Sequence, residues 1–547
     1  MLRLICVWRL LLASLLPVIA KADLYPINKQ IDIQHYVFAL QLSDSTDMII
    51  GKASVTVLLK QAGIKELRLD FINQTVARKQ KGMLVESVYY NQSQLNYTHQ
   101  NDALLIQLPA ATKAGERITL VIQYRGIPYD ALRIGPTKYG DRSFFCENWP
   151  NRARHWLPTY DHPSDKATVE FIVQAPAKYK VVSNGLLLEE SLLGNEMKLT
   201  HWKQAVPVSC WLFVLGVTEF AVEYVDRFEH KSIETWVYAK DREKGFYDFR
   251  EPTKQVLSFY TDYVGPFAYE KLANIQSPSV GGGMETSSAI FYAENLVNGK
   301  RDERTRNVVI HEIAHQWFGN AVTESSWDDV WLSEGFATFF TLLFIEHAYG
   351  KAAYVDGLLK AKKTVLDLTK KLPNHSIVSP RTAELEEVTN GLTYQKGAWV
   401  LHMLRNLIGE KAFQKGIRTY YARYFNASAS TEQFRVEMEK ASGKDLKKFF
   451  AQWLFQPVIP SLQVQWQVDA SKQQLVVDIE QTQSSSIVFE APIEIHYYLK
   501  GDTQPHKIQT QLKAKKQKVS IPVRHQVERI EFDPSHGLLS TVSISQR

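Results

Sequence analysis

The chain has 547 residues, 45% hydrophobic and 22% charged, with a formal net charge of +6. That apolar content excludes a disordered chain, and the length argues for about three or four domains. The charge is too small for a nucleic-acid footprint, and three cysteines exclude a disulfide framework.

The first residues, MLRLICVWRLLLASLLPVIAKAD, place Arg3 and Arg9 before an uncharged stretch from Leu10 to Ala20 and a small-residue site at Ala20-Lys21-Ala22. This reads as a cleavable signal peptide over residues 1–22, because the uncharged run is shorter than the roughly 18 apolar residues that span a bilayer. A secreted or periplasmic protein is expected. Cleavage removes Arg3, Arg9 and Lys21, leaving a charge of +6 − 3 = +3. It also removes Cys6, so only Cys146 and Cys210 remain to pair in an oxidising compartment, and sequence alone does not bring them together. Five Asn-x-Ser/Thr sequons, at Asn73, Asn91, Asn96, Asn374 and Asn426, are short enough to arise by chance.

Over residues 23–218, segments such as YVFALQL, KASVTVLL, ELRLDF and RITLVIQY alternate apolar with polar residues, the period-2 pattern of half-buried strands. They predict a large antiparallel β domain. The character changes after about Phe220, and from Glu251 onward the apolar spacing is three and four in VLSFYTDYV, NVVIHEIAHQWF, FATFFTLLFIEHAY and GAWVLHMLRNLI, which predicts a mainly helical domain over residues 219–457. Ser430 and Gln433 have the spacing of a capping box. Pro457 and Pro460 end the helical pattern, and residues 458–547 return to strand periodicity in a small β-sandwich-like domain. The fold class is multidomain α+β.

Chemistry is concentrated in VVIHEIAHQWFGN. His311 and His315 lie four residues apart, so on a helix both imidazoles share a face, with Glu312 beside them. The apolar neighbours Val309, Ile310, Ile313, Ala314 and Trp317 carry this helix into the interior, where a carboxylate is costly unless a nearby cation compensates it. A catalytic zinc site takes three protein ligands and keeps a fourth position for water. Glu334, at the start of the next helical segment in VWLSEGFATFF, completes a His₂Glu set with His311 and His315. In that arrangement one zinc ion is expected, with Glu312 as general base in the hydrolysis of an acyl bond, the expected one a peptide.

Upstream, SPSVGGGMETSSAIFY sets Gly281, Gly282 and Gly283 before Met284 and Glu285. Glycines there permit close approach of a ligand backbone, although an ordinary glycine-rich turn with a solvated Glu285 reads equally well from these residues alone.

Together GGMET, HEIAHQWFGN, WLSEGFA and TYQKGAW resemble the aminopeptidase N type of zinc gluzincin, the family that includes leukotriene hydrolase; order and spacing agree over most of the mature chain. The resemblance implies a thermolysin-like catalytic domain. It implies that Gly282, Gly283 and Met284 bind the substrate backbone and that Glu285 grips its free α-amino group, with Thr286 standing where the family usually has asparagine. A carboxylate held there lets only the first peptide bond of a free N-terminus reach the metal. Tyr394, otherwise a packed aromatic at a helix start, becomes the donor to the oxyanion. In FFCENWPNRARHWLP, Glu147 is the candidate for a second amino-group contact, with Trp149 and His155 as pocket or packing residues. Expected partners are peptides with a free N-terminus. An endopeptidase and a noncatalytic peptide-binding metalloprotein are the alternatives, and the resemblance also allows epoxide hydrolysis.

Overall fold

The computed structural model describes residues 27–109, 112–378 and 389–547, so the signal-peptide segment lies outside the described residues. In the N-terminal region an eight-stranded sheet is built around Ile31–Gln41 and Ile49–Leu59, whose alternation sends Ile49, Ala53, Val55, Val57 and Leu59 inward. This sheet departs from the antiparallel expectation at one pair: Ile31–Gln41 runs parallel to Ala167–Pro176. The long connection between them carries two strands of a second, four-stranded sheet, Leu132–Pro136 and Arg142–Cys146, which Lys180–Ser183 and Leu215–Thr218 complete from further along the chain. Tyr36, Phe38, Phe171 and Phe213 pack ring against ring inside, and burying each contributes about 1.5–3 kcal/mol. Arg142–Cys146 ends directly at Glu147, which delivers that residue to the catalytic cavity.

The middle region is not helical throughout. It opens with a five-stranded mixed sheet in the order Phe220–Phe228, Lys231–Tyr238, Lys271–Ser277, Ala289–Ala293, Gly283–Met284. Lys271–Ser277 is buried on both faces and therefore lacks the alternation that betrays a strand in sequence. Nine α-helices follow or intervene among the described residues: α1 Arg242–Arg250, α2 Thr253–Tyr263, α3 Glu303–His315, α4 Trp331–Tyr349, α5 Lys351–Lys371, α6 Gly397–Ile408, α7 Glu410–Arg423, α8 Thr431–Ser442 and α9 Lys447–Leu454. Helix α4 is the axis of this region. It is buried from Trp331 to Ile345 except at Thr338, as an all-round hydrophobic helix must be. The capping box at Ser430 and Gln433 is formed, each side chain accepting from the other's backbone N–H.

Helix gives way to strand between Leu454 and Ser461. Two sheets of four and three strands then face each other, with Val464, Val477, Ile479, Ile493 and Ile495 buried between them. Trp453 of α9 against Phe489, and the His402 ring nitrogen 2.9 Å from the His536 carbonyl, tie this sandwich to the helices. Cys146 and Cys210 do not pair. Both are free and buried, and burial pushes the Cys146 thiol up to about 12.

Candidate metal centre and catalytic cavity

Asp302 starts α3 as its N-cap, its carboxylate accepting from the Thr305 N–H at 2.8 Å. Two turns further on, Val309, Ile310, Ile313 and Ala314 pin the helix to the core, which leaves His311, Glu312 and His315 turned to the cavity. The chain reverses at Gly319 (φ 107°), where a β-carbon would stand 2.2 Å from Ser333 Oγ, and returns as α4 with Glu334 in its first turn. Gly335 sits directly against Gly397. A β-carbon on either would meet the other's Cα at 3.0 or 2.9 Å, so only this pair lets α4 approach the start of α6. That approach brings Tyr394, on the single π-helical turn Leu392–Lys396, to Glu334: its hydroxyl donates to Oε1 at 2.6 Å.

Three donor atoms converge. His311 Nε2 and His315 Nε2 stand 3.1 Å apart, and Glu334 Oε2 lies 3.4 Å from the first and 3.2 Å from the second. A tetrahedral centre with bonds near 2.0 Å has ligand edges of about 3.3 Å, so the triangle fits a zinc ion. Glu334 Oε2 is buried and has no hydrogen-bond partner, the condition of an atom reserved for an ion. The His315 ring is oriented from behind, its Nδ1 3.1 Å from the Phe318 carbonyl and 3.0 Å from Ser333 Oγ.

The opposite wall is the edge strand Gly283–Met284, paired on its inner side with Ala289–Ala293. A β-carbon on Gly283 would lie 2.2 Å from Glu312 Oε1, so the absence of a side chain there is what gives the Glu312 carboxylate its place. Gly281 and Gly282 have open space where a side chain would project, leaving a bare backbone ledge on the cavity. Gln316 and Asn320, within the HEIAHQWFGN segment but without an assigned role from sequence, both donate to the Glu285 carbonyl, at 3.0 and 2.5 Å. Gln316 also accepts from the Ser288 N–H at 3.0 Å. These bonds lock the glycine strand to α3. Thr286 donates to the Ala289 carbonyl and closes its own turn.

Glu147 and Trp149 reach the same cavity of about 450 Å³, together with Met284, Glu285, Glu312 and Tyr394. Glu147 is not a free anion: Arg152 forms an ion pair with it, and its Oε1 accepts from the Trp149 N–H at 2.9 Å. Trp149 is wedged edge to face between Trp211 and Trp327. His155 lies outside the cavity, stacked on Tyr129.

The electrostatics also call for a cation. Glu285, Glu312 and Glu334 are all buried. Burial and the mutual repulsion of these carboxylates raise the pKa of Glu285 and of Glu312, and the latter strongly. Burial alone would lower His315, but Glu285 and Glu334 outweigh it and raise the ring's affinity for a proton. Three carboxylates around two imidazoles leave an excess of negative charge that a divalent ion neutralises.

This is the architecture of a zinc peptidase centre, and the family is given by comparison. The model described as the peptidase family M1 domain matches residues 249–453, and the peptidase M1 N-terminal domain matches residues 32–212. The chain belongs to the peptidase M1 family, whose zinc is the ion for this centre. A glutamyl aminopeptidase of Rattus norvegicus is 31% identical over 388 residues, which is 68% of this chain and 41% of that protein. An aminopeptidase A of Gloydius brevicauda is 31% identical over 362 residues, 63% of this chain and 37% of that one. The chain thus spans about two fifths of these curated relatives. Among solved structures, an M1 zinc metallopeptidase from Deinococcus radiodurans superposes with a TM-score of 0.67 at 24% identity, covering 80% of this chain and 96% of that one. A variant from the same organism bound to a Tyr-Ser-Ala substrate also gives 0.67, at 23% identity over 80% and 97%. At that identity the likeness establishes the fold.

Proposed function

We propose that the protein is a zinc-dependent aminopeptidase that removes the first residue from peptides with a free N-terminus. The observation that carries this reading is the donor triangle of His311, His315 and Glu334 sharing one cavity with a buried carboxylate, Glu285, whose Oε1 lies 3.8 Å from His315 Nδ1. When bound there, zinc lowers the pKa of its water to about 7 and polarises a carbonyl. Glu312, held against Gly283, takes the water's proton and passes it to the leaving amine. Glu285 pairs with the substrate ammonium, so the first carbonyl alone arrives at the metal. The bare ledge of Gly281 and Gly282 accepts the substrate backbone along the sheet edge. Tyr394 turns its hydroxyl from Glu334 to the developing oxyanion.

The test is a panel of aminoacyl fluorogenic amides, free and N-acetylated, with metal removed by chelation and zinc restored. Turnover that needs zinc and a free amine is expected. Equal cleavage of acetylated substrates would assign an endopeptidase, and zinc binding without any turnover would assign a peptide-binding metalloprotein. The N-terminal stretch supports export to the periplasm or beyond. Sequencing the mature N-terminus should find it near Asp23, and a retained Met1 would reject cleavage. Among the described residues no helix is long and apolar enough to cross a membrane.

A further inference from the structure

A second cavity, of about 710 Å³, borders the metal centre at His311 and Tyr394 and is not lined by Glu285, Glu312, His315 or Glu334. It shares His311 and Tyr394 with the catalytic cavity, so a peptide anchored by its amino group continues past these two residues into it. Arg304, Asn307 and His311 lie on one face of α3 at spacings of three and four and all line this groove. Leu342 and Ile345 of α4 give it an apolar floor, and α5 forms the far wall.

Its charges are unbalanced. Lys360 engages both acids of the groove, Asp356 at 2.9 Å and Glu303 at 3.8 Å. Arg306 lies over the Tyr349 ring, and its Nε and Nη2 both donate to Asn307 Oδ1, at 3.1 and 3.0 Å. Arg304 is exposed, and neither arginine has a carboxylate partner among the described residues. A partly apolar groove lined by two guanidiniums without a counter-anion suits the free carboxylate of a short peptide; Arg304 has the fork that binds a carboxylate with two parallel hydrogen bonds, and Arg306, committed to Asn307, adds its charge.

Distance selects the length. Arg304 precedes His311 by seven residues, which at about 1.5 Å per residue places it about 10.5 Å along the helix axis. An extended peptide advances about 3.3 Å per residue, so about three residues beyond the scissile bond span that gap. We propose that this groove holds the leaving portion of the substrate and that Arg304, assisted by Arg306, captures the C-terminal carboxylate of peptides of about four residues. The inference rests on the aminopeptidase reading for the direction in which the peptide lies.

The experiment measures binding apart from turnover. A zinc-loaded Glu312→Gln chain is titrated calorimetrically with one tetrapeptide as its free acid and as its C-terminal amide, and with an octapeptide pair of the same first four residues. The tetrapeptide acid should bind about tenfold more tightly than its amide at low salt, with the advantage shrinking as ionic strength rises. The octapeptide pair should show no difference. Adding Arg304→Gln should collapse the tetrapeptide ratio, and Arg306→Gln should reduce it. Equal binding of acid and amide overturns the proposal, as does a ratio that survives both arginine substitutions. Wild-type turnover of the same peptides is followed in parallel. If neither form is cleaved the hydrolase reading falls, and the binding ratio still decides the groove.

Discussion

The two halves of the catalytic cavity are made differently. The metal half is local: His311, Glu312, His315 and Glu334 come from two consecutive helices, and each is fixed by helix geometry and by a close neighbour. The amino-group half is assembled from afar, with Glu285 on a sheet edge and Glu147 and Trp149 delivered by the N-terminal β region. Local spacing tolerates little variation, because moving one helical residue by a single position turns it about 100° off the face. The remote wall has more latitude, and there a carboxylate already neutralised by an arginine stands beside the buried Glu285.

If that contrast is right, damage should be greatest in the metal half. Glu312→Gln should keep the zinc, measured by elemental analysis, and lower kcat by about a thousandfold, within the range for a lost general base. Substantial residual turnover would remove Glu312 from the mechanism. Tyr394→Phe should follow, with kcat lower by about a hundredfold, since one oxyanion donor is lost. Because that hydroxyl also bonds Glu334, zinc affinity separates two origins of the effect: a loss confined to kcat assigns the oxyanion role, whereas a metal affinity that falls in step assigns support of the ligand.

Gly283→Ala probes the seam between the halves. The added methyl would stand 2.2 Å from the Glu312 carboxylate, so the strand or the side chain must move. A displacement near 1 Å at a reacting group costs about a hundredfold in rate. The expected result is a kcat lowered on that scale with zinc content and thermal midpoint little changed. An unaffected kcat would show that Glu312 is not held by this contact.

The same contrast explains what could be read in advance. Helical periodicity with HExxH and a downstream glutamate is a one-dimensional pattern, and it located the metal triangle and α2, α3, α4 and α6 without coordinates. The alternation in Ile49–Leu59 was equally legible because one face of that strand is wet. Lys271–Ser277 is buried throughout, carries no period and went unread; SPSVGGGMETSSAIFY reads as strand, but nothing in it shows that Ala289–Ala293 pairs with Lys271–Ser277 in one sheet. Gln316 and Asn320 act by donating to the carbonyl of a residue more than thirty positions away, and Gly335 and Gly397 by touching one another. No spacing within one segment encodes such pairings. The partner of Glu147 lies only five residues along the same loop, yet a local Arg152 reads as a solvated charge until the fold turns both side chains together.

The smallest effect should come from Glu147. Arg152 offsets its charge and the Trp149 N–H occupies one of its oxygens, so Glu147→Gln preserves the shape and one acceptor and removes a charge already compensated. A rise in KM of about threefold with kcat unchanged is expected, the scale of a partly exposed ion pair. Glu285 is the opposite case, a buried carboxylate whose Oε1 accepts no hydrogen bond and has His315 Nδ1 at 3.8 Å rather than an arginine beside it. Glu285→Gln should therefore cost about a hundredfold in kcat/KM, the loss that follows when one member of a desolvated charge pair is removed. The decisive quantity is the ratio between the two variants, measured on a free and an N-acetylated substrate. A Glu147→Gln loss as large as that of Glu285→Gln would mean that the Arg152 pair opens when substrate arrives, and the two walls of the cavity would then be equal partners in holding the amine.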